Sequence, residues 1–305
     1  MATSWPGSQH APATVSASSR NAVRRASVAR PGRIPGYTGR VQLEAIYRYP
    51  LKSAAAQPLA QATVEPRGLK GDRRWLVVDA DGRFLTGRQL PALVRIRAVA
   101  MPDGLVLQSP GSPTLALPKP NAQQRRRRVR IWKDDVDALT CGADADAWLS
   151  RVLGRPVSLV YMDAGARRPV DPVHARPGDE VSFADGYPLL LLSAAALATL
   201  GERVGRPMAA LRFRPNLVVG GCPAHAEDGW RRLRIGEVEF EAAKPCTRCV
   251  FTLVDPDTGV PDPQGEPLAS LKAYRRGDSG VTFGVNLIPR GEGRLRTGDA
   301  VVVLD

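Results

Sequence analysis

The chain has 305 residues, 43% hydrophobic and 24% charged, with 43 Lys and Arg against 30 Asp and Glu for a formal net charge of +13. That is an ordinary globular composition with room for one large domain or two, and no apolar run approaches the ~20 residues of a membrane-spanning helix. Four cysteines, Cys141, Cys222, Cys246 and Cys249, are too few for a disulfide scaffold; with no hydrophobic signal core, they point to reduced thiols and a cytoplasmic compartment.

Residues 1–40 are rich in Ser, Ala, Arg, Pro and Gly, and no acidic residue precedes Glu44. Such a segment cannot bury enough surface to offset its ordering entropy, so a disordered tail is expected. An acid-free, Arg- and Ser-rich leader also fits an organellar transit peptide, the lesser reading because no strongly amphipathic helix is evident. From Val41 the texture changes to strand-like runs at 41–49, 59–64, 75–79, 84–86, 94–101, 105–108 and 127–132, punctuated by turns such as Asp81-Gly82 and Asp103-Gly104. Many short strands at this spacing predict a sandwich or barrel. A helix is expected over 144–153, with Ala147, Trp148 and Val152 at helical spacing and Gly154 as its stop, followed by a strand at 157–161.

Residues 163–180 are proline-rich and charged and read as a linker between two domains, 41–165 and 166–305. Beyond it, an apolar run from Pro188 to Leu192 reads as a buried strand leading into a helix over 193–204, with Ser193 as N-cap and Gly205-Arg206-Pro207 ending it. Further strands are expected at 216–219, 232–235, 238–242, 249–254, 281–287 and 301–304, with turns at Gly291-Glu292-Gly293 and Gly298-Asp299. The fold class is therefore mainly β (α+β), two β-barrel-like domains with a few short helices.

The positive charge is local. Part lies in the first 40 residues and part in Arg125, Arg126, Arg127, Arg128 and Arg130. A solvated origin accounts for such clusters, and aromatic residues at 6% do not interleave with them as stacking platforms for nucleic acid would.

Three constellations can carry chemistry. In Lys244-Pro245-Cys246-Thr247-Arg248-Cys249, two thiols at this spacing can ligate a metal, form a redox couple or lie half-buried and inert. No second pair completes a zinc site, and the flanks read strand–loop–strand rather than the strand-to-helix setting of a thioredoxin-type couple. Lys244 and Arg248 favour a thiolate, which suits a soft-preferring metal. In Arg212-Phe213-Arg214-Pro215-Asn216, two arginines two apart on an extended segment would face one way as a phosphate clamp, or form a solvated strand edge. The third comprises Tyr49-Pro50-Leu51-Lys52-Ser53 and Gly68-Leu69-Lys70-Gly71-Asp72-Arg73-Arg74-Trp75, where glycines permit close backbone approach and Lys52, Arg73 and Arg74 offer positive charge.

These motifs occur in a fixed order with Phe84-Leu85-Thr86-Gly87-Arg88-Gln89, Ala226-Glu227-Asp228-Gly229-Trp230, Asp255-Pro256-Asp257-Thr258-Gly259 and Phe283-Gly284-Val285-Asn286-Leu287. The set resembles MOSC-domain proteins with their own N-terminal β-barrel domain, and most nearly the mitochondrial amidoxime-reducing component and its bacterial relatives. The resemblance implies a MOSC fold in the C-terminal half and a molybdenum–molybdopterin cofactor of the sulfite-oxidase type. Cys249 would be the metal ligand and catalytic residue, with Cys246 the second choice. Lys52, Ser53, Arg73, Arg214, Asn216, Thr247, Arg248 and Asn286 match positions that hold the cofactor. Gly186-Tyr187 departs from the small hydroxyl residues of the family. The family is also associated with pyridoxal phosphate binding.

The activity implied is reduction of N-oxygenated, N-hydroxylated compounds, fed by a separate electron-donor protein of ferredoxin, flavoprotein or cytochrome type. The chain has too few cysteines for an iron–sulfur site beside the molybdenum ligand. The alternative is a cofactor carrier or sulfur-transfer protein without reductase turnover. No nucleic acid and no membrane span are expected.

Overall fold

The computed structural model describes residues 39–305, so the expectations for the N-terminal tail and its import lie outside the described residues. The described chain is mainly β, with three short α-helices at Ala143–Leu153, Ala194–Val204 and Leu268–Tyr274. A nine-stranded sheet runs in the order Val301–Val303, Arg232–Ile235, Val238–Thr247, Gly280–Pro289, Leu189–Ser193, Leu217–Gly220, Gln42–Arg48 and Gln57–Leu59, with Arg276–Gly277 pairing off Gly280–Pro289. Its first strand in the chain, Gln42–Arg48, pairs antiparallel with Leu217–Gly220, so the N-terminal end is built into the sheet of the C-terminal half. Leu189–Ser193 and Leu217–Gly220 are parallel, and the helix Ala194–Val204 makes the crossover that a parallel pair requires.

The second sheet orders Trp75–Val78, Ser158–Tyr161, Asp134–Thr140 and Arg126–Ile131. All four residues of Trp75–Val78 are buried because both faces are covered. Trp75 and Val77 pack with Leu93, Leu105, Trp148 and Leu159, whereas Leu76 and Val78 pack with Val129, Ile131 and Phe183, as the two-residue side-chain period requires. Two three-stranded sheets complete the structure, one from Arg97–Met101, Gly104–Gln108 and Leu115–Pro118, the other from Gly293–Arg296, Gln61–Glu65 and Gly68–Leu69.

Local chemistry explains where the structure departs from the sequence reading. Residues 84–86 do not form a strand: Phe84 makes one isolated bridge to Val78, and Thr86 turns instead, its N–H and hydroxyl both donating to Gln89 Oε1. The 94–101 run is split, because Pro91 opens a 3-10 turn, Pro91–Arg95, before the strand Arg97–Met101 begins. The 249–254 run is a 3-10 turn, Val250–Leu253, closed by Thr252 donating from N and Oγ1 to the Cys249 carbonyl. In the Ala143–Leu153 helix the buried face is Ala145, Trp148 and Leu149, and Ala147 points outward.

The strand Asp134–Thr140 was hidden by its acidic residues. In the hairpin Asp135 faces Arg130 and Asp137 faces Arg128, and Arg130 is ion-paired with Asp135. Arg126 bonds Asp163 at 2.6 Å and Arg127 bonds the Asp79 carbonyl at 3.0 Å. The basic cluster thus has partners within the fold. The 163–180 segment is tied down too. Buried Arg168 donates to Asp134 and to the carbonyls of Ser182, Ala184 and Asp185, and buried Arg67 donates to Glu180 and to the carbonyls of Asp163 and Ala166.

Candidate functional site

The site grows from two loops that the strand Gln42–Arg48 and its sheet hold in place. In the first loop Tyr49 is fully buried, its N–H donating to Asp72 Oδ1 at 2.7 Å. Lys52 follows, buried, with Nζ donating to the Phe183 carbonyl at 2.8 Å and pairing with Asp185 at 2.5 Å. Burial pulls the Lys52 ammonium down to about 8, against the attraction of Asp185. In the second loop Arg73 donates from Nη1 to Asp72 at 2.5 Å and to Asn216 Oδ1 at 3.0 Å, and from Nη2 to the Arg214 carbonyl at 3.0 Å. Burial opposes its charge, but Asp72 outweighs that and holds the guanidinium protonated.

Asn216 is buried and satisfied on both ends. Its Nδ2 donates to the Tyr47 carbonyl at 3.1 Å, and its Oδ1 accepts from Arg73 and from Leu190 N. Arg214 donates from Nη1 to the Ala54 carbonyl at 2.8 Å and lies 4.2 Å over the Tyr49 ring. Its Nη2 and the Tyr49 hydroxyl are buried without a hydrogen-bond partner among the described residues. Burial pulls Arg214 down to about 10. Both side chains line a pocket of about 120 Å³ that Phe251, Val94, Leu211 and Asp257 also wall.

Backbone conformation singles out the same residues. Among the described residues, only Ser53, Arg73, Trp132, Arg214 and His225 have positive φ without being glycine, and three of the five are candidate site residues. Each left-handed residue costs about 1–2 kcal/mol, which the surrounding bonds offset; strain of this kind concentrates at functional sites.

The thiols lie at the end of the Val238–Thr247 strand. There Lys244 faces Asn286 and Thr247 faces Thr282 across the ladder to Gly280–Pro289. Asn286 donates to the Lys244 carbonyl at 3.4 Å. Thr247 is exposed. Arg248 is pinned: its N–H donates to the Val281 carbonyl, Nε and Nη2 to the Phe283 carbonyl and Nη1 to the Phe213 carbonyl, at 2.7, 2.9, 2.5 and 3.1 Å. Cys249, held between that anchor and the turn it opens, is exposed, whereas Cys246 is half-buried. Burial pushes the Cys246 thiol up, with Arg248 acting the other way.

The two halves of the site meet. Phe251, two residues past Cys249, lies 5.6 Å from the Arg214 guanidinium, and its ring covers Gly87, where a Cβ would fall 2.3 Å from Cε2. Arg73, Asn216 and the Arg214 carbonyl thus share one hydrogen-bond network, Lys52 joins it through the Phe183 backbone, and Arg248 reaches the Phe213 carbonyl next to Arg214. Arg212 lines the pocket beside Arg214 but is turned to other partners. Its segment, Ala210–Phe213, is a 3-10 turn and not extended, and Arg212 is spent on Asp255 at 2.8 Å and the Leu253 carbonyl at 2.8 Å. The expected pair of parallel guanidinium forks is not built. Sequence reading also missed Asp72, Asp185 and Phe251. Asp72 stood inside a motif already singled out; Asp185, immediately before Gly186-Tyr187, carried no spacing signal of its own.

Residues 40–156 match the MOSC N-terminal beta barrel domain, and residues 178–302 match the MOSC domain. The chain is 34% identical over 276 residues to the human mitochondrial amidoxime-reducing component 1, covering 85% of this chain and 82% of that protein. It is 37% identical over 239 residues to the Danio rerio protein of the same name, covering 75% and 73%. To the mitochondrial amidoxime reducing component 2 of Bos taurus it is 35% identical over 291 residues, covering 90% and 86%. These names overturn the cytoplasmic compartment read from the cysteines and the missing signal core, since all three relatives are named as mitochondrial components. A compartment address is not written in thiol count, so that reasoning had no hold on it. No helix among the described residues is long and apolar enough to cross a membrane. The chain belongs to the family of MOSC-domain proteins with an N-terminal MOSC beta barrel that includes the mitochondrial amidoxime-reducing components.

Proposed function

We propose that this protein is a molybdenum-cofactor-dependent reductase of N-hydroxylated compounds; its relatives' name states amidoxime reduction for them. The observation that carries the reading is an exposed Cys249 thiol, braced by Arg248 and two residues before Phe251, whose ring lies 5.6 Å from the Arg214 guanidinium. Lys52, Arg73, Arg214 and Arg248 stand against Asp72 and Asp185, with Asp257 on the wall of the Arg214 pocket. A cluster of buried cations this far from neutral is costly unless an anion joins it. The unpartnered Nη2 of Arg214 and the Tyr49 hydroxyl are donors waiting for such a group. The donor set thus fits a phosphate-bearing pterin, and a soft thiolate fits molybdenum.

In this reading Lys52, Arg73 and Arg214 hold the phosphate, with Ser53, Asn216, Thr247 and Asn286 supplying polar contacts. Cys249 is the ligand rather than Cys246, since Cys249 is exposed and burial pushes the Cys246 thiol up. Arg248 fixes the backbone that presents Cys249. The cofactor, when bound, supplies two-electron removal of oxygen from nitrogen. The protein's part is to hold the cofactor's anion, aim the thiol and keep the cleft open to a small substrate.

Electrons would come from a separate donor protein of ferredoxin, flavoprotein or cytochrome type, and the relatives' name extends a mitochondrial setting to this chain. The division into residues 41–165 and 166–305 belongs to the same proposal; the two matched domains at 40–156 and 178–302 support it. The test is turnover: cofactor-loaded protein with a competent reductant should convert benzamidoxime to benzamidine. Bound cofactor with no reduction of any N-hydroxylated compound would favour the carrier alternative.

A further inference from the structure

Asp185 is the solvent-open carboxylate of the cleft. Its side chain is 77% exposed, whereas that of its partner Lys52 is 7% exposed. Only Oδ1 is engaged; among the described residues no hydrogen bond reaches Oδ2. The segment carrying it is rigid. The Asp185 carbonyl accepts from Arg168 Nη2 at 3.0 Å, and the Phe183 N–H donates to the Arg73 carbonyl at 2.9 Å. Two residues on, Tyr187 packs against the buried cluster of Val170, Val181, Ala184 and Ile288, with the Lys244 ammonium 5.9 Å from its ring. A Cβ on Gly186 would meet nothing within 4 Å, so the space over this stretch is open. Cys246 lies within electrostatic reach of both Asp185 and Tyr187. A free carboxylate oxygen and an aromatic side chain thus stand two residues apart, on either side of an uncovered Gly186 and within electrostatic reach of Cys246.

We infer that Asp185 is the specificity-determining residue for N-hydroxylated amidines and guanidines, its free oxygen accepting an N–H of the planar N–C–N unit beside Tyr187. The inference rests on the reductase reading. Its chemical basis is a change of charge. An amidoxime takes two electrons from the reduced donor protein and three protons from solvent. The N–O bond breaks, the oxygen leaves as water, and the third proton stays on the product as an amidinium. The substrate is nearly neutral and the product is a cation, so positive charge develops as oxygen leaves. A carboxylate placed at that unit stabilises the developing charge more than the ground state.

The surroundings oppose ionisation of Asp185, but Lys52, Arg73 and Arg88 outweigh them and hold the carboxyl well below the usual carboxylate range. It is therefore charged throughout the working pH range. A hydroxamic acid, whose reduction product is a neutral amide, gains nothing from this contact.

The test uses two substrates in one preparation, so cofactor loading cancels. For cofactor-loaded Asp185→Asn, the ratio of kcat/KM for benzamidoxime to that for benzohydroxamic acid should fall about ten- to a hundredfold, the worth of one hydrogen bond to a charged group. An unchanged ratio overturns the inference. A second measurement needs neither turnover nor variant: by calorimetry the wild-type protein should bind benzamidine at least about tenfold more tightly than its uncharged counterpart benzamide. Equal binding also overturns it. If the protein reduces neither substrate, the reductase reading falls, while the benzamidine preference, present in the wild type and lost in Asp185→Asn, still decides whether Asp185 recognises the amidinium; a preference that survives in Asp185→Asn overturns the inference.

Discussion

Lys52 is a lysine in a setting that makes its charge conditional. Its ammonium is buried, its folded value is near 8 and its ordinary value is 10.5. The folded protein therefore releases this proton more readily than the unfolded chain, so the stability tied to Lys52 rises as pH climbs from about 8 towards 10.5 and is flat below that window, where both states hold the proton. Anion binding runs the other way, because only the protonated form attracts a phosphate. Uptake of the cofactor by apoprotein should weaken as pH rises through about 8, and Lys52→Arg, which stays charged, should flatten that dependence; a pH-independent uptake by the wild type would contradict the assignment.

Arg212 and Arg214 make a paired prediction. Arg212→Ala removes the bonds to Asp255 and the Leu253 carbonyl and should cost roughly 1–3 kcal/mol in urea unfolding while leaving cofactor content intact. Arg214→Ala should strip the cofactor, because the guanidinium with the unpartnered Nη2 is lost. Cofactor content in the two purified variants separates these roles.

At the scale of elements, the turn after Cys249 depends on a glycine in another loop. Phe251 rests on Gly87, and a methyl there would meet Cε2 and Cζ at 2.3 and 2.4 Å. Gly87→Ala should displace Phe251, loosen the Cys249 turn and lower molybdenum content, with an overall fold unchanged by circular dichroism. Unaltered loading would show the turn to be held by Arg248 and Thr252 without the seat of Phe251 on Gly87.

The same element shows what the sequence can and cannot disclose. Ser193 and Gly205 marked the helix Ala194–Val204 directly, because capping is local: Ser193 Oγ accepts from Ala196 N at 3.3 Å and Gly205 adopts φ 78°. The turn at Val250–Leu253 was hidden behind residues that favour strands, since a side-chain bond from Thr252 to Cys249 decides it. Arg212 and Arg214 looked alike by spacing and diverged only through the positive φ of Arg214, which no local rule announces for an arginine. The ordered motifs named the residues proposed to hold the cofactor. Asp185 was illegible because its meaning comes from Lys52, 133 residues away in the chain.

For the whole molecule, buried arginines join distant stretches of chain. Arg168 reaches Asp134 and three carbonyls between Ser182 and Asp185, holding the 163–180 segment against the hairpin and the site at once. Removing one partner of such a buried charged pair strands the other, so Arg168→Ala should destabilise by roughly 3–5 kcal/mol in urea unfolding. Loss below 1 kcal/mol would mean that the segment is held by its apolar contacts alone. Because Arg168 also accepts the site's backbone geometry as its own constraint, cofactor content should fall in parallel.

The central claim is that Cys249 ties molybdenum into this cleft. Molybdenum and pterin content of purified wild-type protein, beside Cys249→Ala and Cys246→Ala, tests it most directly. The account predicts near-stoichiometric molybdenum in the wild type and in Cys246→Ala, and its loss in Cys249→Ala. No molybdenum in the wild type from cells that make the cofactor, or full loading of Cys249→Ala, would contradict it.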